Sequence, residues 1–171
     1  IPPFEGHDVL AHFRAIAYLR THRQLARIDA ATAAESYELV QQPPLYYAVA
    51  AAASAPWPIE EALRVAATSV NPYFGGPENY RQSLTLPGTA PAALRPVTLA
   101  RLVSLLGGLM LLGAVWRTAK LVAPDRPHFA LAAAAVAAGN PQLLFLAGTV
   151  TNDAWAAGTT AVALACGFEA R

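Results

Sequence analysis

The second half of the chain consists of long hydrophobic runs separated by short polar breaks. The runs cover about 97–116, 129–150 and 154–168, and Asn140 and Pro141 interrupt the middle one. A helix of about 20 apolar residues crosses the hydrocarbon core of a bilayer, which is roughly 30 Å thick. The pattern therefore predicts about three transmembrane helices, the second of them kinked at its proline.

The first 96 residues show helical periodicity in pieces separated by prolines. The segment 8–26 contains no Gly or Pro, and its apolar residues recur at helical spacing, which predicts an amphipathic helix. Pro43 and Pro44 open a second helix and Pro58 a third, since proline is tolerated in the first helical turn. No period is visible over 71–96, which predicts a long loop. The apolar stripe of the first helix comprises Val9, Phe13, Ile16 and Ala17.

Charge separates the same two regions, because 15 of the 23 charged side chains lie in 1–96 and 8 lie in 97–171. Charged residues make up 13% of the chain, about half the fraction of roughly 25% that is typical of soluble proteins. We expect an all-α polytopic membrane protein with 97–171 in the bilayer and amphipathic helices outside it. The net charge of +1 does not favour a nucleic-acid partner.

The ends of the chain and its cysteine content narrow the class further. The chain begins at Ile1 without a methionine and ends at Arg171, just after an apolar stretch, so we expect a fragment of a longer protein. The single cysteine, Cys166, excludes an internal disulfide and a multi-cysteine zinc site.

The loop between the first two hydrophobic runs sets the expected topology. Arg117, Lys120 and Arg126 lie in this loop, and short cation-rich loops stay in the cytoplasm. We therefore expect a multi-pass protein of the inner (plasma) membrane, with 1–96 and Asp153 together on the extracytoplasmic side.

The first helix carries a candidate for acid–base or metal chemistry. Asp8 and His12 are four residues apart, which in a helix puts a carboxylate and an imidazole on one face. Such a pair can share a proton or hold a divalent cation. The alternative is that Asp8 only caps the helix. Glu5 is either a capping partner, a second ligand or a solvated side chain.

Other polar residues sit at the predicted membrane boundary. Asp153 is either a functional acid or, with its polar neighbours, a cap on the third hydrophobic helix. Arg101 either extends to the interface or binds a phosphate as a bidentate donor. Gln42 precedes Tyr46 and Tyr47, and tyrosines at such a position also form the aromatic belts of membrane proteins.

Four stretches together resemble the GT-C superfamily of membrane glycosyltransferases, in the bacterial group related to protein O-mannosyltransferases. PPFEGHDVLAHF is similar to the first outer-loop motif, and QQPPLYYAVAA is similar to a Q-P-P-L-Y-Y helix start, with Glu38 near the family's acidic position. NPYFGGPENY and ARLVSLLGG resemble the segments before and into the next span. NPQLLFLAGTVTNDAW is similar to the motif that puts an acid, here Asp153, at the outer surface.

The resemblance implies transfer of a sugar from a polyprenyl-phosphate donor to an acceptor at the outer face. Asp8 would be the general base, and His12 and Asp153 would position it or a divalent cation. Asp153 and Glu5 are counted with Asp8 as catalytic residues. Arg101 would bind the donor phosphate, with contacts to substrate from Gln42, Tyr46 and Tyr47. Asp8, His12 and Asp153 would hold a divalent metal ion, if one is used.

One position departs from the family pattern. The family commonly has Asp-Glu where this chain has Asp8 followed by Val9, so one of two adjacent carboxylates is missing. This departure favours an alternative function, a non-catalytic membrane scaffold of the same fold in cell-envelope assembly or export.

Overall fold

A computed structural model describes residues 3–6, 8–25, 42–69, 71 and 91–170. Of these residues, 79% are helical and none lies in a strand, which confirms the all-α prediction. The chain divides into two compact units, Ile1–Val103 and Ser104–Arg171.

Helix α1 of the first unit spans Val9–His22, within the predicted segment 8–26. It ends where Arg23 adopts a left-handed conformation (φ 52°) and donates its backbone N–H to Leu19. The predicted apolar stripe is confirmed, because its four residues Val9, Phe13, Ile16 and Ala17 are all buried.

Two further helices begin after prolines, as predicted. Helix α2 spans Leu45–Ser54 and follows Pro44, and helix α3 spans Ile59–Thr68 and follows Pro58. Glu61 in the first turn of α3 accepts two hydrogen bonds from Arg64, which hold the pKa of this exposed carboxyl below its usual value.

The helices α1, α2 and α3 pack together around one small core. Helix α1 packs against both α2 and α3, and α3 also contacts a 3₁₀ turn at Pro91–Leu94. This turn leads into helix α4, which spans Arg95–Val122. The end of the predicted loop 71–96 is therefore helical. Prolines are tolerated at such helix starts, because the N–H that proline lacks would have no intrahelical partner there. Residues 72–90 of that loop lie outside the described residues.

The second hydrophobic run forms two helices rather than one. Helix α5 spans Pro127–Ala138 and helix α6 spans Pro141–Gly148, with a bend of 65° between them. Asn140 caps α6, since its Oδ1 accepts hydrogen bonds from the N–H groups of Gln142 (2.9 Å) and Leu143 (3.3 Å). The predicted kink is confirmed, and its physical cause is a helix restart with its own cap.

Helix α7 spans Asp153–Glu169 and runs parallel to α4. At one end the Ser104 hydroxyl contacts the backbone of Thr151. Further along, a Cβ added at Gly158 would lie 2.4 Å from the carbonyl oxygen of Gly107. At the other end Arg117 forms an ion pair with Glu169. The contacts follow the same order along both helices, which is why the helices are parallel. Helices α5 and α6 therefore return the chain from the end of α4 to the start of α7.

The second unit buries small residues and exposes large ones. In the helical residues described from 104 to 169, every buried residue is Ala, Gly or Ser. Large apolar side chains on the same helices are exposed, among them Leu106, Leu109, Val136, Leu144 and Leu164. This is the reverse of a water-soluble core, in which large apolar side chains are the buried ones.

Length and hydropathy qualify one described helix as long and apolar enough to cross a membrane. It is Pro91–Val122, and the bent pair α5 and α6 passes the same test only when taken as one span. Helix α7, with 17 residues, is at the lower limit of the length required. The number of spans therefore stays a prediction.

Candidate functional site

Two sequence motifs meet in the core of the first unit. Nδ1 of His12 on α1 lies 2.7 Å from the hydroxyl of Tyr47 on α2, in hydrogen-bonding contact. The two rings are nearly parallel (23°), with their centroids 5.9 Å apart. His12 is 6% exposed and Tyr47 is 0% exposed. The outer-loop motif and the Q-P-P-L-Y-Y motif therefore form one packed element, although 35 residues separate these two side chains.

Tyr46 extends this contact to the start of α4. Its ring meets the ring of Tyr47 edge to face, with centroids 5.3 Å apart, and its hydroxyl donates to the carbonyl oxygen of Ala100 at 3.3 Å. Tyr46 is 2% exposed. The aromatic-belt alternative is therefore wrong for these tyrosines, because both are buried in a helix core. Arg101, next to Ala100, is partly buried.

Asp8 occupies the N-cap position of α1 but does not act as an ordinary cap. Its φ is 60°, in the left-handed region, and its side chain makes no capping hydrogen bond. An ordinary N-cap residue has an extended backbone and accepts a bond from the second or third helical N–H. The capping alternative is therefore wrong for Asp8.

The spacing of Asp8 and His12 predicts a shared helix face only where both residues are helical, and the backbone of Asp8 is left-handed instead. The Asp8 side chain is exposed whereas that of His12 is buried. What directly joins these two residues is the backbone, since the His12 N–H donates to the Asp8 carbonyl oxygen at 2.9 Å.

Glu5 and Gln42 are both partly buried and belong to the same unit as Asp8. Glu5 lies in the turn before α1, and Gln42 lies three residues before α2. Glu38 lies outside the described residues. The roles predicted for Glu5 and Gln42 stay predictions.

Asp153 is the first residue of α7 in the second unit, and its side chain is exposed. Its backbone N–H donates to the Thr151 hydroxyl at 3.3 Å, so Thr151 supplies part of the cap. The convergence of Asp153 with Asp8 stays a prediction, since the two residues belong to different units.

The non-helical segment before Asp153 is buried, which the sequence did not indicate. Residues 149–152 are all buried. The Ser104 hydroxyl donates to the Thr151 carbonyl oxygen at 3.2 Å and accepts from the Thr151 N–H at 3.4 Å. The sequence feature that could have indicated a structural role for Ser104 is its hydroxyl inside an apolar run, on the same helical face as Gly107 and Gly108.

The predicted metal ion would need several donor side chains close together. Within the described residues, no three side chains of His, Cys, Asp or Glu group in a way that could hold one. His12 is packed against Tyr47, with one ring nitrogen already in a hydrogen bond. The sequence could have indicated that His12 is buried, because His12 falls between Val9 and Ile16 on the apolar stripe.

Comparison with protein-family models, curated proteins and solved structures found no match to this chain. The family resemblance therefore rests on the motifs quoted above.

Proposed function

We propose that the chain is part of a membrane glycosyltransferase that moves a sugar from a polyprenyl-phosphate donor to an acceptor at the outer face. The observation that carries this proposal is the hydrogen bond between His12 and Tyr47. Two motifs that the family resemblance assigns to one site are packed together, and Asp8 lies at the exposed end of the same helix.

The packing of the second unit supports a membrane location. In lipid, helices associate through small residues that let their backbones approach, while large apolar side chains face the acyl chains. The close approach of Gly107 and Gly158 and the exposed leucines of α4 follow this rule. In water the same exposed surface would favour aggregation.

The parallel packing of α4 and α7 supports the proposed topology. The chain must return from the end near Arg117 to the end near Ser104 before α7 begins. This favours α5 and α6 as one full crossing, broken at Asn140, over a re-entrant loop. Asp153 then lies at the same membrane face as the part of α4 near Ser104.

In the proposed reaction the exposed carboxylate of Asp8 accepts the proton of the acceptor hydroxyl. The hydroxyl oxygen forms a bond to the anomeric carbon of the sugar as the bond from that carbon to the phosphate oxygen breaks. The phosphate keeps the electron pair, and Arg101 binds the resulting charge through its guanidinium. A general base in such a step contributes about 100- to 10,000-fold to the rate.

Asp8→Asn in the full-length protein tests this proposal. Asparagine tolerates the left-handed backbone as aspartate does, so the variant should accumulate normally in the membrane. Transfer of sugar from a polyprenyl-phosphate donor should fall by roughly 100-fold or more, because the amide accepts no proton. Asp125→Asn, at an exposed position between α4 and α5, is the matched control and should keep its activity. Wild-type transfer by Asp8→Asn would contradict the proposal.

A second candidate function is a non-catalytic scaffold, and the buried position of Val9 favours it. Val9 is 1% exposed, so the position where the family commonly has its second acid faces the core. A wild-type protein that consumes no lipid donor, yet accumulates in the membrane, would support the scaffold.

A further inference from the structure

We propose that Tyr47 is a positioning residue of the transferase site, which it serves by fixing His12 and, through His12, the backbone of Asp8. The inference rests on the proposed function. It assigns to Tyr47 a role inside the protein in place of the substrate contact expected from the sequence.

The backbone of Asp8 has a left-handed conformation. For a residue with a Cβ the left-handed conformation is less favourable than the right-handed one, although Asp and Asn adopt it more readily than other such residues. At Asp8 (φ 60°, ψ 5°) it coincides with an exposed carboxylate that makes no capping bond to α1. The conformation thus presents the carboxylate to the surface.

The structure imposes this conformation from the interior side. Next to Asp8, Val9 is almost fully buried, and the His12 N–H holds the Asp8 carbonyl oxygen at 2.9 Å. His12 is fixed in turn, because its Nδ1 lies 2.7 Å from the Tyr47 hydroxyl and its ring stacks on the tyrosine ring.

Tyr47 is itself immobilised. It is 0% exposed, and the ring of Tyr46 packs against it at 69°. A buried hydrogen bond between two packed rings has one geometry available, whereas an exposed bond competes with water. The chain of contacts therefore runs from α2 through His12 to the first turn of α1, which Asp8 precedes as the N-cap residue.

Tyr47→Phe in the full-length protein removes the hydroxyl and keeps the ring. We expect kcat with a polyprenyl-phosphate sugar donor to fall roughly tenfold or more with KM unchanged, because a misplaced catalytic group slows the chemical step. Ser54→Ala is the matched control. It removes an equally buried hydroxyl bond on α2, one that Ser54 makes to Ala50 in its own helix, and should leave kcat unchanged. Wild-type kcat in Tyr47→Phe, or an equal loss in Ser54→Ala, would overturn the proposal.

Two substitutions at His12 separate positioning from chemistry by the imidazole. The amide of His12→Asn can turn to donate to or accept from the Tyr47 hydroxyl, so kcat should stay within about threefold of wild type. His12→Leu keeps the bulk without a polar atom and should lose roughly as much kcat as Tyr47→Phe. If His12→Asn loses as much as His12→Leu, the imidazole itself is required and the positioning role is refuted.

Hydrogen exchange at the backbone N–H of His12 separates this inference from the proposed function. Exchange should become roughly tenfold faster in Tyr47→Phe and stay unchanged in Ser54→Ala. Unchanged exchange in Tyr47→Phe refutes the link between Tyr47 and Asp8, whether or not the protein transfers sugar. A wild-type protein that transfers no sugar overturns the proposed function and, with it, the positioning role of Tyr47 in that reaction.

Discussion

Position 9 faces the interior of the first unit, between the left-handed residue Asp8 and the half-buried Leu10. Val9 is 1% exposed and belongs to the apolar stripe of α1. A carboxylate at this position would lose its hydration, which raises its pKa and costs folding free energy. The absence of the family's second acid therefore agrees with the burial of this position. An acid here would require a different conformation of the first turn of α1.

Val9→Glu should accordingly destabilise the protein by on the order of 3 kcal/mol, the cost of burying a carboxyl group without a partner. The measurement is thermal unfolding of the purified protein in detergent. Ala48→Glu, at an exposed position of α2, should change the melting temperature little. Equal melting temperatures for Val9→Glu and wild type would mean that α1 does not bury this face.

Individual residues were predictable where burial follows a period. The spacing of Val9, Phe13 and Ile16 was enough to predict their common face, because helical geometry fixes it. The burial of His12 could be predicted from its place on this stripe, but its partner Tyr47 lies 35 residues away and no local pattern indicates it. The left-handed backbone of Asp8 is a property of one residue, and no periodic pattern predicts it.

Among the helices, the close contact of α4 with α7 depends on two glycines. A Cβ at Gly158 would lie 2.4 Å from the Gly107 carbonyl oxygen, and a Cβ at Gly107 would lie 2.7 Å from the backbone of Ala154. Contacts this short require the backbones to separate. The sequence predicted both helices from their length, but which face of each meets the other depends on this pairing.

Gly158→Ala should cost about 1–3 kcal/mol of stability, because the methyl group forces the two helices apart. Gly167→Ala on the same helix has no atom within 4 Å of its added Cβ and should be neutral or gain up to about 1 kcal/mol from helix propensity. Thermal unfolding of both variants in one detergent tests the difference. A smaller loss for Gly158→Ala than for Gly167→Ala would contradict the packing.

The Ser104 hydroxyl satisfies both backbone groups of Thr151 at the break between α6 and α7. Ser104→Ala should destabilise the protein by about 1–3 kcal/mol, since it leaves a buried N–H and a buried carbonyl without this partner. Thr98→Ala is the control, because the exposed Thr98 hydroxyl donates to the carbonyl oxygen of Leu94, only four residues earlier in the chain. Similar melting temperatures for the two variants would show that Thr151 finds another partner.

For the whole molecule, the proposed membrane topology can be tested by labelling. In a Cys166→Ala background, a thiol reagent that cannot cross the membrane should label Gln24→Cys in intact cells. It should label Asp125→Cys only after permeabilisation, because Arg126 and the cations Arg117 and Lys120 at the end of α4 favour a cytoplasmic location for this segment. Labelling of Asp125→Cys in intact cells would reverse the topology.

For the whole molecule, the positions of the helices were more predictable from the sequence than their arrangement in space. The hydrophobic runs indicated where helices would form, because their length and lack of charge are local properties. The bend of 65° between α5 and α6 depends on how the restart at Asn140 packs, so only its location was predictable. The parallel alignment of α4 with α7 follows from contacts between residues about 50 positions apart.

That separation has a consequence for biosynthesis in the proposed membrane topology. About 50 residues lie between Gly107 and Gly158, and ribosomes add roughly 5–20 residues per second, so α4 waits roughly 3–10 s for its partner. During that interval its glycine face meets only lipid. Helix α4 must therefore insert as an independent span, for which its 28 residues suffice. Helix α7, shorter and later, has α4 already in place to receive it.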